Sequence, residues 1–308
     1  MNNQVRITEV SPRDGLQAET VVIDTSSKAQ LVQLVQATGV AEVEVSSFVS
    51  PKWIPQLGDA AVLFDQIADS KPDGILYSAL VPNEKGLDDA IAVNQSARQS
   101  HGIERLIDKV SVFTAASEGF ALKNTNATIE ETLKRFEPVV ARAHEHGMMV
   151  RGYISCIVQC PFDGLVHPEA VGDVMTRLLE MGVDEIDLGD TIGAASPETI
   201  EMAIMEAIDR LDGESTNSHS EPTLTLHLHD TFGHAVECAK IAMELGVRSF
   251  DSSAGGLGGC PYASTQDSRA PGNISTLAMV QAIQESGLST TINQDALIKA
   301  SAFASELI

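Results

Sequence analysis

Short β-branched runs alternate along the chain with longer stretches of helical periodicity. The runs that read as strands are Val5–Val10, Val40–Phe48, Ile75–Val81, Lys109–Thr114, Met148–Ile154, Glu185–Leu188, Thr223–His229 and Ser249–Ser253. Between them lie amphipathic stretches, among them Lys28–Thr38, Asn83–Ser100, Thr128–His146, Pro168–Met181, Pro197–Leu211 and Ala235–Leu245. Leu31-Val32-Gln33-Leu34-Val35 fits a helical stripe better than strand alternation. Gly39, Gly147, Gly182 and Gly246 each stand between a helical stretch and the next strand. Glycine there accepts the left-handed backbone that closes a helix. Eight strands alternating with helices predict a parallel sheet, most simply closed as a (β/α)₈ TIM barrel. An open doubly wound sheet is the alternative. It is weakened because no G-x-G-x-x-G follows the first strand.

The 308 residues suit such a barrel, which typically needs about 250. They predict one catalytic domain over residues 1–308. Apolar residues make up 43% of the chain, enough for a sizeable core and too many for a disordered one. The formal charge of −23 disfavours nucleic acid and anionic membrane surfaces as partners. An anionic substrate would then need locally placed cations, whereas a divalent metal would not be repelled. No run is long and apolar enough for a membrane span, and the N-terminus lacks a secretory signal. Cys156, Cys160, Cys238 and Cys260 match neither a zinc pattern nor a disulfide framework. They read as reduced thiols of a cytoplasmic protein. A homodimer is the expected assembly. The Ser/Asn/Glu-rich segment Asp212–Glu221 reads as a loop on the barrel face opposite the site.

Chemically able residues cluster where the strands end, the side on which barrel active sites form. Strand 1 runs into Ser11-Pro12-Arg13-Asp14-Gly15, strand 2 carries Glu44, and strand 6 ends in Gly189-Asp190-Thr191. Strand 7 ends in His227-Leu228-His229-Asp230, and strand 8 runs into Gly255-Gly256-Leu257-Gly258-Gly259-Cys260. Residues two apart on a strand share a face, so His227 and His229 either hold one metal or form a hydrogen-bonded pair. If strand 8 closes onto strand 1, Asp14 adds an oxygen ligand suited to Mg²⁺, Mn²⁺ or another octahedral divalent ion, with zinc as the alternative. Arg13 is either half of a structural ion pair or a fixed cation for a developing oxyanion. Glu44 would tether Arg13, act as a base or face solvent. Cys260 follows a glycine run predicted to be a mobile loop. There it is either an inert thiol or a reactive group on a gate. Cys156, Cys160 and Cys238 read as inert, His144 and His146 as structural, and Trp53 as packing a loop.

These motifs resemble the 3-hydroxy-3-methylglutaryl-CoA lyases of the DRE-TIM metallolyase group, from about Val5 to Ala302. The similarity covers Ser11–Gln17, Ser46–Trp53, Ala115–Glu118, Val150–Cys156, Gly189–Gly193 and His227–Thr231. Gly255–Tyr262 is the most lyase-specific segment. The resemblance implies cleavage of a 3-hydroxy-3-methylglutaryl thioester to acetyl-CoA and acetoacetate. It also implies Mg²⁺ or Mn²⁺ on Asp14, His227, His229 and Asn273. It gives Arg13 the enolate oxygen and Cys260 a proton transfer. Glu44 and Asp190 match polar positions near the reacting centre. The chain departs from the pattern in a longer Cys260–Asn273 loop, in Leu277 for an acidic residue, in Thr20 for a lysine of some relatives, and in stopping at Ile308. Its rivals are a lyase for a bulkier 3-hydroxyglutaryl-CoA such as the isohexenyl compound, a Claisen-condensing synthase, and a non-catalytic metal-binding barrel.

Overall fold

The computed structural model describes residues 3–213, 223–259 and 272–308. Its strands are β1 (Arg6–Glu9), β2 (Glu42–Ser47), β3 (Leu76–Leu80), β4 (Lys109–Ala115), β5 (Met149–Ser155), β6 (Gln159–Cys160), β7 (Gly164–Leu165), β8 (Glu185–Asp190), β9 (Thr223–Leu228) and β10 (Ser249–Ser252). Eight of them close a parallel barrel in the order β1-β10-β9-β8-β5-β4-β3-β2, while β6 and β7 form a two-stranded hairpin apart from it. Closure is made by β1, which pairs with β10 (Arg6↔Ser249) and with β2 (Thr8↔Glu42). All eight strands expected from the residue pattern are therefore barrel strands, and the open sheet is excluded.

The helices are α1 (Thr25–Gln36), α2 (Ala60–Ile67), α3 (Glu84–Ser100), α4 (Glu118–Thr125), α5 (Ile129–Glu145), α6 (Pro168–Met181), α7 (Pro197–Gly213) and α8 (Ala235–Glu244) between strands, and α9 (Thr276–Glu285) and α10 (Gln294–Glu306) after β10. Their ends follow local chemistry. Asp24 accepts from Ser27 N at 2.9 Å to start α1, and Thr128 with Glu131 forms a reciprocal capping box on α5. Gly39, Gly147, Gly182 and Gly246 all have positive φ, between 72° and 102°, as a chain leaving a helix requires.

Strand alternation separates two environments. Val43, Val45, Val110, Val112, Ile186, Leu188, Leu226 and Leu228 are buried and belong to the apolar core shared with the helices. Gly152 lets α6 approach β5, since a Cβ there would lie 3.0 Å from Leu178. The intervening positions are polar, and they meet across the barrel. Arg151 on β5 donates to Thr8 on β1 at 2.9 Å and to Asp251 on β10 at 3.1 Å. Lys109 on β4 bridges Glu42 (2.5 Å) and Glu185. Non-adjacent strands can touch this way only through the interior, so the barrel is filled by paired charges. Lys109 and Arg151 are shared among Glu42, Glu185, Asp187 and Asp251, which partly offsets the high cost of removing these groups from water.

One loop expectation is corrected. Trp53 packs no loop, for it is 80% exposed. The preceding Ser50–Lys52 turn closes on its own backbone (Trp53 N to Ser50 O, 2.9 Å), so the indole is not needed there. The Asp212–Glu221 loop expectation falls mostly outside the described residues.

Candidate active site

The site is built around the end of β1. A wide turn over Ser11–Gly15 is closed by Gly15 N donating to Val10 O at 3.0 Å, a bond spanning five residues. Glu9, fully buried, pins this turn. One of its oxygens accepts from Ser11 N (3.0 Å) and Ala254 N (2.8 Å), and the other from Thr276 Oγ1 (2.8 Å). Three distant segments of sequence are thereby fixed to one another.

Arg13 leans back into the barrel. Its Nε donates to Glu44 Oε2 at 2.5 Å and its NH1 to Asp14 Oδ1 at 2.7 Å. Its guanidinium also lies 5.6 Å from the centre of the Tyr153 ring. Glu44 is thus a tether for Arg13, one of the roles open to it. Burial pushes the Glu44 carboxyl up, and Arg13 followed by Arg151 only partly counter this. Burial alone would lower the Arg13 guanidinium, but Glu44 and Asp14 outweigh it and keep it charged.

His227 and His229 point their Nε2 atoms at one another, 3.2 Å apart. With Asp14 they present ligand atoms that all lie within 4.8 Å of one another. Burial would raise the Asp14 carboxyl, but Arg13, then His227 and His229, hold it below the usual carboxylate range. Asn273 sits beside His229 through an antiparallel bridge, and its Nδ2 donates to Asp14 Oδ2 and Leu257 O, both at 2.9 Å. The four expected ligands therefore converge although Asp14 and Asn273 lie 259 residues apart in sequence. Two imidazoles facing each other at hydrogen-bond distance beside an ionised carboxylate form a donor set that fits a divalent cation, with the Asn273 amide adjoining it.

Gly258 packs against this cluster with φ of 113°, and a Cβ there would lie 2.5 Å from Asn273 Nδ2 and 3.4 Å from Asp14 Oδ2. Gly258→Ala is expected to lower kcat/KM tenfold or more, about 1.4 kcal/mol, with a smaller effect on the melting temperature. Steady-state kinetics beside thermal melts check this.

Asp190 is placed differently. Its oxygens accept from Ala194 N (3.1 Å) and Ala195 N (2.9 Å), so it organises the loop after β8. Burial pushes its carboxyl up to about 6 against those amides. Cys260 lies outside the described residues, as does most of the lengthened loop to Asn273. Residues not singled out from the sequence complete the floor: Tyr153, Arg151, Asp187 and Asp251. Tyr153 OH reaches Asp251 Oδ2 at 3.2 Å and Glu44 Oε2 at 3.3 Å. Their signal was present in the i, i+2 polar pairs Arg151/Tyr153 and Glu185/Asp187 within otherwise apolar strands. A groove of about 510 Å³ between α2 and α3, lined by Phe48, Leu57, Ala61 and Val93, holds none of the mouth residues.

Fold and site together define a (β/α)₈ barrel with a candidate divalent-metal centre at its mouth. The chain belongs to the HMGL-like family, which matches residues 4–304. It is 37% identical over 300 residues to the mitochondrial hydroxymethylglutaryl-CoA lyase of Macaca fascicularis, covering 97% of this chain and 84% of that protein. The crystal structure of the HMG-CoA lyase of Brucella melitensis superposes with a TM-score of 0.87 at 39% identity, covering 99% of this chain and 98% of that one. An HMG-CoA lyase of Acinetobacter baumannii in complex with coenzyme A and 3-methylmalate gives a TM-score of 0.85 at 32% identity, covering 99% and 91%.

Proposed function

We propose that this protein is a divalent-metal-dependent hydroxymethylglutaryl-CoA lyase, splitting its substrate into acetyl-CoA and acetoacetate, with residues 1–308 acting as one catalytic domain. The observation that carries the reading is the convergence of a fixed guanidinium, Arg13, with the Asp14, His227, His229 and Asn273 set at one barrel mouth. Those four residues would hold Mg²⁺ or Mn²⁺. The bound ion would supply Lewis acidity toward the tertiary hydroxyl of the substrate.

The chain's own groups account for the remaining chemistry. The hydroxyl proton passes to a general base at the mouth, and its O–H electron pair becomes the new carbonyl of acetoacetate. The bond between the carbinol carbon and the thioester α-carbon breaks, and its electrons pass to the thioester oxygen as an enolate. Arg13, held by Glu44 and unable to lose its proton, faces that developing negative charge. Protonation of the α-carbon then yields acetyl-CoA, and Cys260 is the group assigned to that transfer. Cys260→Ser is expected to lower kcat more than it raises KM. An effect confined to KM would remove Cys260 from the proton transfer.

Among the described residues no helix is long and apolar enough to cross a membrane, and Cys156, Cys160 and Cys238 are buried. We place the protein in the cytoplasm and expect a homodimer. Acyl specificity is tested by supplying 3-hydroxy-3-methylglutaryl-CoA and its isohexenyl analogue in parallel with Mg²⁺. Higher kcat/KM for the methyl compound is expected. Preference for the analogue would keep the chemistry and replace the substrate.

A further inference from the structure

The two histidines of the cluster are not equivalent. On β9 and β10, His227 and Asp251 are register partners, so their side chains enter the barrel side by side. His227 Nδ1 lies 3.0 Å from Asp251 Oδ2, the geometry of an Nδ1–H donating to a carboxylate. His229 Nδ1 is buried and meets no hydrogen-bond partner among the described residues. Asp251 in turn is clamped. Arg151 NH1 donates to its Oδ1 at 3.1 Å and Tyr153 OH to its Oδ2 at 3.2 Å. The Tyr153 ring meets the His227 imidazole edge-on at 6.2 Å. All three supporting side chains are buried.

Asp187, His227 and Asp251 also bring ligand atoms within 4.8 Å of one another. Arg151 NH1 sits 3.3 Å from Asp187 and 3.1 Å from Asp251, so a fixed positive charge stands against those carboxylates and repels a second cation there. A cation is therefore directed to the other side of His227, where Nε2 faces His229 and Asp14. That requires the proton of His227 to reside on Nδ1, and Asp251 is the group that keeps it there. Outer carboxylates of this kind fix the tautomer and ring orientation of metal-binding histidines.

We propose that Asp251, clamped by Arg151 and Tyr153, is a positioning residue that holds His227 in the tautomer able to bind the metal. The inference rests on the metal site proposed above and assigns a residue outside it. It predicts that the cluster loses metal affinity without losing a ligand. In Asp251→Asn the single amide oxygen is claimed by Arg151, which has only donors to offer. The amide NH₂ then faces His227 Nδ1 and favours the opposite tautomer, with the proton on Nε2.

The test is calorimetric titration of Mn²⁺ into the metal-stripped full chain, wild type beside Asp251→Asn, with near-UV circular dichroism to verify the fold. Long-range ¹H–¹⁵N spectra of the histidines at alkaline pH report the tautomer directly. Asp251→Asn is expected to bind Mn²⁺ roughly 10- to 100-fold more weakly and to move the His227 proton from Nδ1. A folded Asp251→Asn protein with wild-type Mn²⁺ affinity and an unchanged tautomer overturns the role of Asp251. A wild type that binds no Mn²⁺ removes the metal site itself, and this inference with it. Where Asp251→Asn does not fold, Tyr153→Phe takes its place, removing one donor to Asp251 with no change of charge. It is expected to weaken Mn²⁺ binding by roughly 2- to 10-fold, and unchanged affinity contradicts the clamp.

Discussion

Arg13→Gln is expected to lower kcat by roughly 1,000-fold or more while the protein stays folded. Removing one neutral oxyanion donor costs about 100- to 1,000-fold, and Arg13, itself only 6% exposed, contributes a full charge. The same substitution separates Arg13 from Glu44, which is fully buried. Breaking a buried ion pair costs about 3–5 kcal/mol when the partner is left charged. Glu44 has another course open to it, because burial already pushes its carboxyl up. Without the arginine it takes a proton and bonds to the introduced amide. A carboxyl held above its unfolded value is neutral in the fold at mildly acidic pH, and its stability contribution falls as pH rises toward the folded value. The melting temperature of Arg13→Gln should therefore be closest to wild type at mildly acidic pH and fall further behind it as pH rises. Turnover and thermal melts across pH measure both halves of this. A loss of turnover below tenfold, with the fold intact, would count against the oxyanion role.

Stripping the enzyme with EDTA is expected to lower activity at least roughly 100-fold, with Mg²⁺ or Mn²⁺ restoring it. The fold should survive, since the interior is held by Arg151, Lys109 and their carboxylates rather than by the mouth cluster. Affinity for the ion should fall as pH falls. Burial would lower His227, but its bond to Asp251 and the nearby charges outweigh this and hold it above its ordinary value. Protons therefore compete for His227 from near-neutral pH downward. His229, lowered by burial and then by His227 to about 4, stays neutral over that range. Metal titrations at several pH values check the sign. Full activity in protein shown to be metal-free would remove the ion from the reaction.

The barrel could be read from the chain because each of its parts is written locally. Short runs rich in Val, Ile, Leu and Thr mark most of the strands, and Gly39, Gly147, Gly182 and Gly246 mark the helix ends. The mouth could be read because barrel strands end on one side, so Arg13-Asp14 and His227-x-His229 had to meet once the sheet closed. The supporting floor could not be read in that way. Arg151 finds Thr8 across 143 residues and Asp251 across 100, pairings that no local pattern encodes. Asp190 was legible in the way the mouth was, at the end of a barrel strand, but the bonds its oxygens accept from the amides of Ala194 and Ala195 were not. The β6–β7 hairpin and α4 were too short to leave a periodic signal.

The most direct measurement is product stoichiometry. Metal-reconstituted enzyme is given 3-hydroxy-3-methylglutaryl-CoA, and acetoacetate, acetyl-CoA and free CoA are quantified together. Carbon–carbon cleavage predicts acetoacetate and acetyl-CoA in equal amounts, with no free CoA. Release of free CoA without acetoacetate, or no product from protein with its metal bound, would contradict it.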